Sequence, residues 1–390
     1  MTQAKSKHGR NAGIDALRAY AMTLVIAQHC DLLPFGWIGV WVFFVISGFV
    51  VTSSIIDGRD HDQPAVARIK SFYQRRVARI MPLYFCYILL FIVVALLSWR
   101  MIPWQVLATL GTFTYNFYPI HDDSIFPISH LWTISVEMQF YVVAGLVLIL
   151  GNTATIKKTL YLFVAAPVFI RILYSIMMHR SGYAPGFIQS SEYHISIFHF
   201  DAFAIGCLLS YNRQLINRRF ANRALLFGLV AMAVFLLVYS RINIATRNVD
   251  EFASFKNILS GDAYGQLREA LIFVPVLALS FGLVLSSLVE TSWLRGLFQH
   301  DWIAYIGRCS YSGYMIHFAV IWALRGIGES VGLSDAGDRS TAIITLRVVL
   351  FLLSTSLTIG LSTLLFRWLE QPLAGVAKRL MTPSSASRPA

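Results

Sequence analysis

Charged residues make up only 13% of this 390-residue chain, against roughly 25% in an ordinary soluble domain. With 56% hydrophobic residues and a mean hydropathy of +0.62, such a chain does not fold as one water-soluble globule. Cysteine is scarce as well. Cys30, Cys86, Cys207 and Cys309 show no C-x-x-C spacing, which excludes a zinc ribbon and offers no disulfide framework. No G-x4-G-K-[ST] loop occurs, so a P-loop ATPase is excluded. The apolar runs are continuous rather than alternating, which excludes a membrane β-barrel.

What fills the chain instead is a succession of apolar windows of about 17–25 residues, each ending in a polar cluster. Ten are found, at roughly 14–31, 36–56, 80–98, 129–150, 159–178, 196–212, 222–240, 268–288, 302–326 and 341–368. They predict an all-α polytopic membrane protein of about ten transmembrane helices. With the N-terminus in the cytoplasm, the inner segments hold most of the 32 Lys and Arg. The positive-inside rule then places both termini in the cytoplasm. This topology accounts for the net charge of +12, and no basic stretch calls for nucleic acid.

The first window follows Lys5, Lys7 and Arg10. Its apolar core is longer than that of a signal peptide, and no small-x-small cleavage site follows, so it is read as a retained span. The chain divides into a cytoplasmic segment 1–13, a membrane domain 14–370 and a polar cytoplasmic tail 371–390 expected to be disordered. The second half of the inner loop 57–79 is expected to form an amphipathic surface helix. The outer loops at 99–128 and 240–267 are long enough to cover a site. The lipid bilayer is the one partner that composition demands, and no feature sets an oligomeric state.

Ionisable residues inside the windows cost a few kcal/mol each, on the order of 2.5–3.5 on insertion scales, so they mark candidate function. The first window, "GIDALRAYAMTLVIAQHC", carries three. Arg18 and His29, eleven residues apart, share one helical face about 16 Å apart along the axis. Asp15 lies near the same line, and a structural pair of Asp15 with Arg18 is the competing reading. The fourth window, "HLWTISVEMQFYVV", sets His130, Glu137 and Tyr141 near one face. Glu137 reaches a depth comparable with His29, where a carboxylate would orient an imidazole for general-base work. "SYSGYMIHFAV" sets Ser310, Tyr314 and His317 on a second polar stripe, for which aromatic packing is an equal explanation. Asp201 is a further intramembrane carboxylate, with a helix N-terminal role as the alternative. Arg75, Arg76 and Arg79 gather before the third window, either as positive-inside anchors or as a cytoplasmic phosphate site.

These stretches resemble the bacterial membrane acyltransferase-3 family in order along nearly the whole chain. "GIDALRAYAMTLVIAQH" resembles the family's opening "LDGLRGIAALLVVLFH", including its Arg-x10-His pattern at Arg18 and His29. "GVWVFFVISGFVV" resembles "GVDLFFVLSGFLI", and "FYQRRVARIMPLY" resembles "FYRRRLLRILPLY". "LWTISVEMQFY" is similar to "LWSLSVEEQFY", "SYSGYMIHFAV" to "LSYSLYLWHWPV", and "RWLEQPL" to a closing "ERPL". Trp41 stands where many members have Asp, Met138 where a second Glu is common, and Ala319 where Pro often follows the histidine. No SGNH-type esterase domain follows the tenth window, so transfer is expected within the membrane domain or with another protein.

The resemblance implies a membrane O-acyltransferase. Acyl-CoA, by family habit acetyl-CoA, would be a cytoplasmic co-substrate, with no permanently bound cofactor and no metal. A glycan, a lipid-linked saccharide or a related molecule would accept the group on the outer side, and the membrane would be the inner one. His29 is then the expected base, or the carrier of an acyl group, with Glu137 orienting it. Arg18 and the Arg75, Arg76 and Arg79 group would hold the donor and its phosphates. Tyr314 or Ser310 would face the oxyanion, with His317, Tyr141 and Asp201 near the substrate. A glycerolipid acyltransferase is disfavoured, since no H-x4-D pair occurs. A proton-coupled transporter of a glycan or small molecule uses the same kinds of residue and is the alternative. So is an acyl-CoA-binding membrane protein without catalysis.

Overall fold

The computed structural model describes residues 11–58, 63–121, 125–260, 265, 267–330, 341–373 and 375–376. The segment 1–10 and most of the tail expected to be disordered, 377–390, lie outside these. All regular structure among the described residues is helical. In chain order the helices are α1 (Ala12–His29), α2 (Ile38–Ile56), α3 (Ala65–Leu97), α4 (Trp104–Gly111) and α5 (Trp132–Leu150). Then come α6 (Thr153–Arg180), α7 (Pro185–His194), α8 (Phe200–Tyr211), α9 (Arg218–Arg247) and α10 (Glu251–Ser260). The last are α11 (Phe273–Leu288), α12 (Asp301–Arg308), α13 (Ser310–Ser330) and α14 (Thr341–Leu365).

Among the described residues, seven helices are long and apolar enough to cross a membrane, or eight when the pair Pro185–His194 and Ser196–Tyr211, bent by 65°, counts as one span. Nine of the ten expected windows coincide with one main helix each, while 302–326 is divided at Cys309 between α12 and α13, and α1 and α13 miss that standard. Asp15 of α1 and Ser310, Ser312, Tyr314 and His317 of α13 are buried, so they lower mean hydropathy without turning to lipid. The expected surface helix in loop 57–79 is a correction. It is the first part of α3, which runs unbroken for 33 residues with Pro82 inside. At 1.5 Å per residue that is about 50 Å, longer than the roughly 30 Å hydrocarbon core, so α3 extends beyond the bilayer.

α1 and α2 form the centre. α1 packs on α2, α11, α12, α13 and α14, and α2 packs on α1, α5, α8 and α11. Sixty-one per cent of the apolar window of α2 is buried, against 17% for that of α14, so α14 belongs to the rim. Leu89 and Leu96 of α3, Leu162 and Phe169 of α6, and Phe227 and Leu237 of α9 point outward as a lipid-facing belt. Exposed Trp99 and Trp104 follow α3, while Trp293, Trp302 and Trp368 mark the opposite ends of their helices, as interfacial anchors do. No hydrophobic force separates helix from lipid inside a bilayer, so close packing must hold the centre together. Glycines supply it. A Cβ on Gly48 of α2 would strike the carbonyl of Phe203 on α8, and one on Gly206 would strike that of Val45. Gly307 lets α12 rest on the backbone of Asp15 at the start of α1.

Candidate active site

Two cavities lie along α1, one toward Arg18 and one toward His29. Arg18, Arg76, Arg79, Glu137 and Tyr141 line the first, which is narrow at about 80 Å3. The second is lined by His29, Trp37, His130, Tyr193, Arg268 and Glu269, among others, and measures about 440 Å3. That lies within the roughly 300–1,000 Å3 of small-molecule sites. Tyr314 of α13 and Val40 of α2 border both, so the cavities meet at one thin partition.

In the arginine cavity Glu137 is the organising acid. Its Oε1 accepts hydrogen bonds from Ser47 Oγ at 2.6 Å and from Tyr141 OH at 2.5 Å. Arg76 donates to Ser54 Oγ at 3.0 Å and lies over the rings of Phe72 and Tyr141, 5.5 and 5.4 Å from their centroids. The charges of Asp15, Arg79, Glu137 and Glu370 all act on Arg18, whose Nε is buried without a partner. Ser310 Oγ is likewise buried, at the cavity wall. Arg76 and Arg79, three residues apart, share a helix face, while Arg75 turns 100° away and is exposed outside the lining.

His29 and His130 line the other cavity, and His317 packs behind them outside its lining. The ring of His29 lies 5.5 Å from that of His317 and 4.2 Å from that of Phe318. The ring of His130 lies 5.0 Å from that of His317 and stacks on Phe318 at 4.8 Å. His317 Nδ1 meets the carbonyl of Tyr314 at 2.5 Å. A carbonyl only accepts, so Nδ1 holds the proton and the buried Nε2, which has no partner, is left as an acceptor. His130 Nε2 likewise donates to the carbonyl of Met315 at 3.1 Å. At the partition Thr133 Oγ1 donates to the carbonyl of His130 at 2.9 Å, and Tyr314 OH, 2.9 Å from the same Oγ1, directs its proton to it.

His29 is held from its backbone. It is the last residue of α1, and Arg325 Nη2 donates both to its carbonyl, at 3.0 Å, and to Asp31 Oδ2, at 2.6 Å. The expected pairing of His29 with Glu137 is not made, and the reason is depth. His29 sits at the level of His130, while Glu137 is seven residues, about 10 Å, further along its helix, and faces the arginines. Asp201 is not in either cavity. It is buried in an ion pair with Arg171 at 2.7 Å and accepts from the amide of Ala202 at 2.8 Å. Trp37, Tyr193, Arg268 and Glu269 were not singled out by sequence. The adjacent charges of Arg268 and Glu269 at the edge of an apolar window were their one visible signal. The loops expected to be outer do reach the site, since Pro119, Leu259 and Ser260 line the larger cavity and Trp37 Nε1 donates to the carbonyl of Leu259 at 2.8 Å.

The profile of the acyltransferase-3 family, described as an acyltransferase domain, matches residues 11–367, from the start of α1 past the end of α14. The chain belongs to the acyltransferase-3 family. Acyltransferase-3 relatives include the peptidoglycan O-acetyltransferase OatA of Listeria monocytogenes, 26% identical over 335 residues, which covers 79% of this chain and 49% of that protein. "Putative peptidoglycan O-acetyltransferase YrhL" of Bacillus subtilis is 25% identical over 389 residues, covering 95% of this chain and 56% of that protein. A Staphylococcus aureus protein named "Putative O-acetyltransferase" is 25% identical over 384 residues, with 92% and 56% covered. This acyltransferase-3 chain thus spans about half the length of the curated relatives it matches. No solved structure matches it.

Proposed function

We propose that this chain is a membrane O-acyltransferase that moves an acyl group, acetyl in the first instance, from cytoplasmic acyl-CoA to a hydroxyl of a glycan across the inner membrane. The observation that carries the reading is the pair of cavities that meet at Tyr314, one lined by arginines and one by histidines. The names of the relatives make a cell-wall glycan such as peptidoglycan the first acceptor to try. Both termini face the cytoplasm in this reading, which puts the arginine cavity on the donor side.

Arg18, Arg76 and Arg79 attract the anionic donor, and Glu137 offsets part of their mutual repulsion. The donor cavity is too narrow for a pantetheine arm as it stands, so its walls part when the donor enters. The thioester then lies at the partition. The acceptor oxygen attacks the thioester carbonyl carbon while His29 takes the hydroxyl proton. Tyr314 donates to the oxyanion. When the C–S bond breaks, His29 returns the proton to the sulfur. In the covalent variant His29 attacks the thioester carbon and CoA leaves as the thiolate; the acceptor hydroxyl then takes the acyl group from the imidazole, and its proton ends on the CoA sulfur. Either way the orienting role falls to Arg325, which fixes the backbone of His29, and to His317 and Phe318, which fix its ring.

The test is transfer of labelled acetyl groups by the purified protein in vesicles, with acetyl-CoA on one side and muropeptides on the other. Label on the muropeptide, dependent on both sides being supplied, is the expected result. Uptake of the glycan without label would replace this reading with transport.

A further inference from the structure

We infer that Arg308, Tyr305 and Arg367, on the segments that lead into the wall of the arginine cavity, form a phosphate clamp that takes a phosphate of the acyl-CoA donor. The inference rests on the donor reading above, but on different residues. The guanidinium of Arg308 lies over the Tyr305 ring, 5.0 Å from its centroid, and that of Arg367 lies 5.8 Å from the same centroid. Arg367 Nε also donates to Tyr305 OH at 3.0 Å. One tyrosine thus holds two like charges together, against their repulsion.

Two of the other surface arginines are paired with carboxylates. Arg213 pairs with Asp57 at 2.7 Å and Arg325 with Asp31 at 2.6 Å. Neither Arg308 nor Arg367 has a carboxylate partner among the described residues. Two planar guanidinium groups fixed side by side match a phosphate dianion, which each can meet with two N–H donors. A single anchoring charge would not need a tyrosine to pair it with a second.

Position links the clamp to the donor cavity. Ser310 and Tyr311, just after Arg308, line that cavity. Glu370, one turn beyond Arg367, accepts from Ser312 Oγ at 2.9 Å, and its charge acts on Arg18. A donor whose thioester lies at Tyr314 and whose arm passes Arg18 therefore leaves its nucleotide phosphates near Tyr305. The same chemistry fits the phosphate of an anionic lipid headgroup, and the experiment separates the two sources.

The test compares the full chain with Arg308→Gln/Arg367→Gln and with Tyr305→Leu, all in phosphatidylcholine nanodiscs. Binding of CoA and of adenosine 3′,5′-bisphosphate, which has phosphates but no pantetheine, is measured by calorimetry. Thermal midpoints check that the variants are folded. The clamp predicts that both probes lose at least tenfold in affinity in the double variant, and a smaller factor in Tyr305→Leu. Equal CoA binding by folded variant and wild type overturns the clamp and leaves the donor reading standing. Bisphosphate binding that depends on the clamp, without any acetyl transfer, keeps the clamp and removes the donor reading. Unchanged binding of both probes, with loss of co-purifying phosphatidylglycerol in native mass spectra, assigns the arginines to lipid and overturns the proposal.

Discussion

At the scale of single residues, Glu137 lies away from the His29 that the sequence reading has it orient, and Arg325, which that reading does not single out, holds the backbone of His29 instead. Glu137 holds Ser47 and Tyr141 among the arginines, so in the proposed reading its charge serves donor binding. Glu137→Gln is expected to change the KM for acyl-CoA severalfold while the pH profile of kcat stays in place. A shifted pH profile with an unchanged KM would return Glu137 to the side of His29. Arg325 ties the carbonyl of His29 to Asp31 across the end of α1. Arg325→Ala releases that end and is expected to lower kcat about tenfold, as small misplacements of a catalytic group do, with little change in the KM for the donor. Arg325→Lys, which keeps one of the two contacts, is expected to recover part of the loss. An Arg325→Ala enzyme with wild-type kcat would remove the positioning role.

At the scale of elements, the centre depends on backbone contact between helices. Gly307→Val forces α12 away from the start of α1, where Asp15 and Arg18 begin the polar stripe. Overpacking of this kind typically costs about 1–3 kcal/mol. The thermal midpoint in detergent is expected to fall by several degrees, and donor binding with it, since α12 leads directly into the donor-cavity wall. An unchanged midpoint would mean that α12 is loosely attached. The helices themselves were legible from apolar windows, because a span must satisfy its backbone internally and be apolar over a fixed length. The start of α3 was not. "AVARIKSFYQRRVAR" is too polar to cross a bilayer and reads as a surface segment, yet nothing in it stops a helix that continues into the apolar run. Likewise α1 and α13 look like ordinary spans in sequence, and only the fold shows that their polar faces are buried in the interior.

At the scale of the molecule, in the proposed reading the partition keeps a reactive thioester apart from water on the far side. Tyr314 and Val40 are the only residues common to both cavity linings among the described residues. Tyr314→Ala opens the partition and is expected to raise acceptor-independent hydrolysis of acyl-CoA severalfold while lowering transfer. Tyr314→Phe keeps the barrier and loses only the phenol, so it is expected to lower transfer without raising hydrolysis. Equal hydrolysis in both variants would mean that the partition lies elsewhere. The stripe from Arg18 to His29 could be drawn from helical periodicity, since the two residues sit on one element. The pairing of His29 with Glu137 could not be excluded in that way, because depth on one helix fixes nothing about the turn that begins another. His317 and Arg325 reach His29 from α13, almost three hundred residues later in the chain, and no local pattern records such contacts.

The central claim is transfer across the membrane through His29. The measurement that tests it most directly is mass spectrometry of the cell-wall glycan from a strain lacking the gene, complemented with wild type or with His29→Ala at matched protein levels. The account predicts that one acyl group per modified sugar is lost on deletion, returns with wild type and stays absent with His29→Ala. Full restoration by His29→Ala would contradict it.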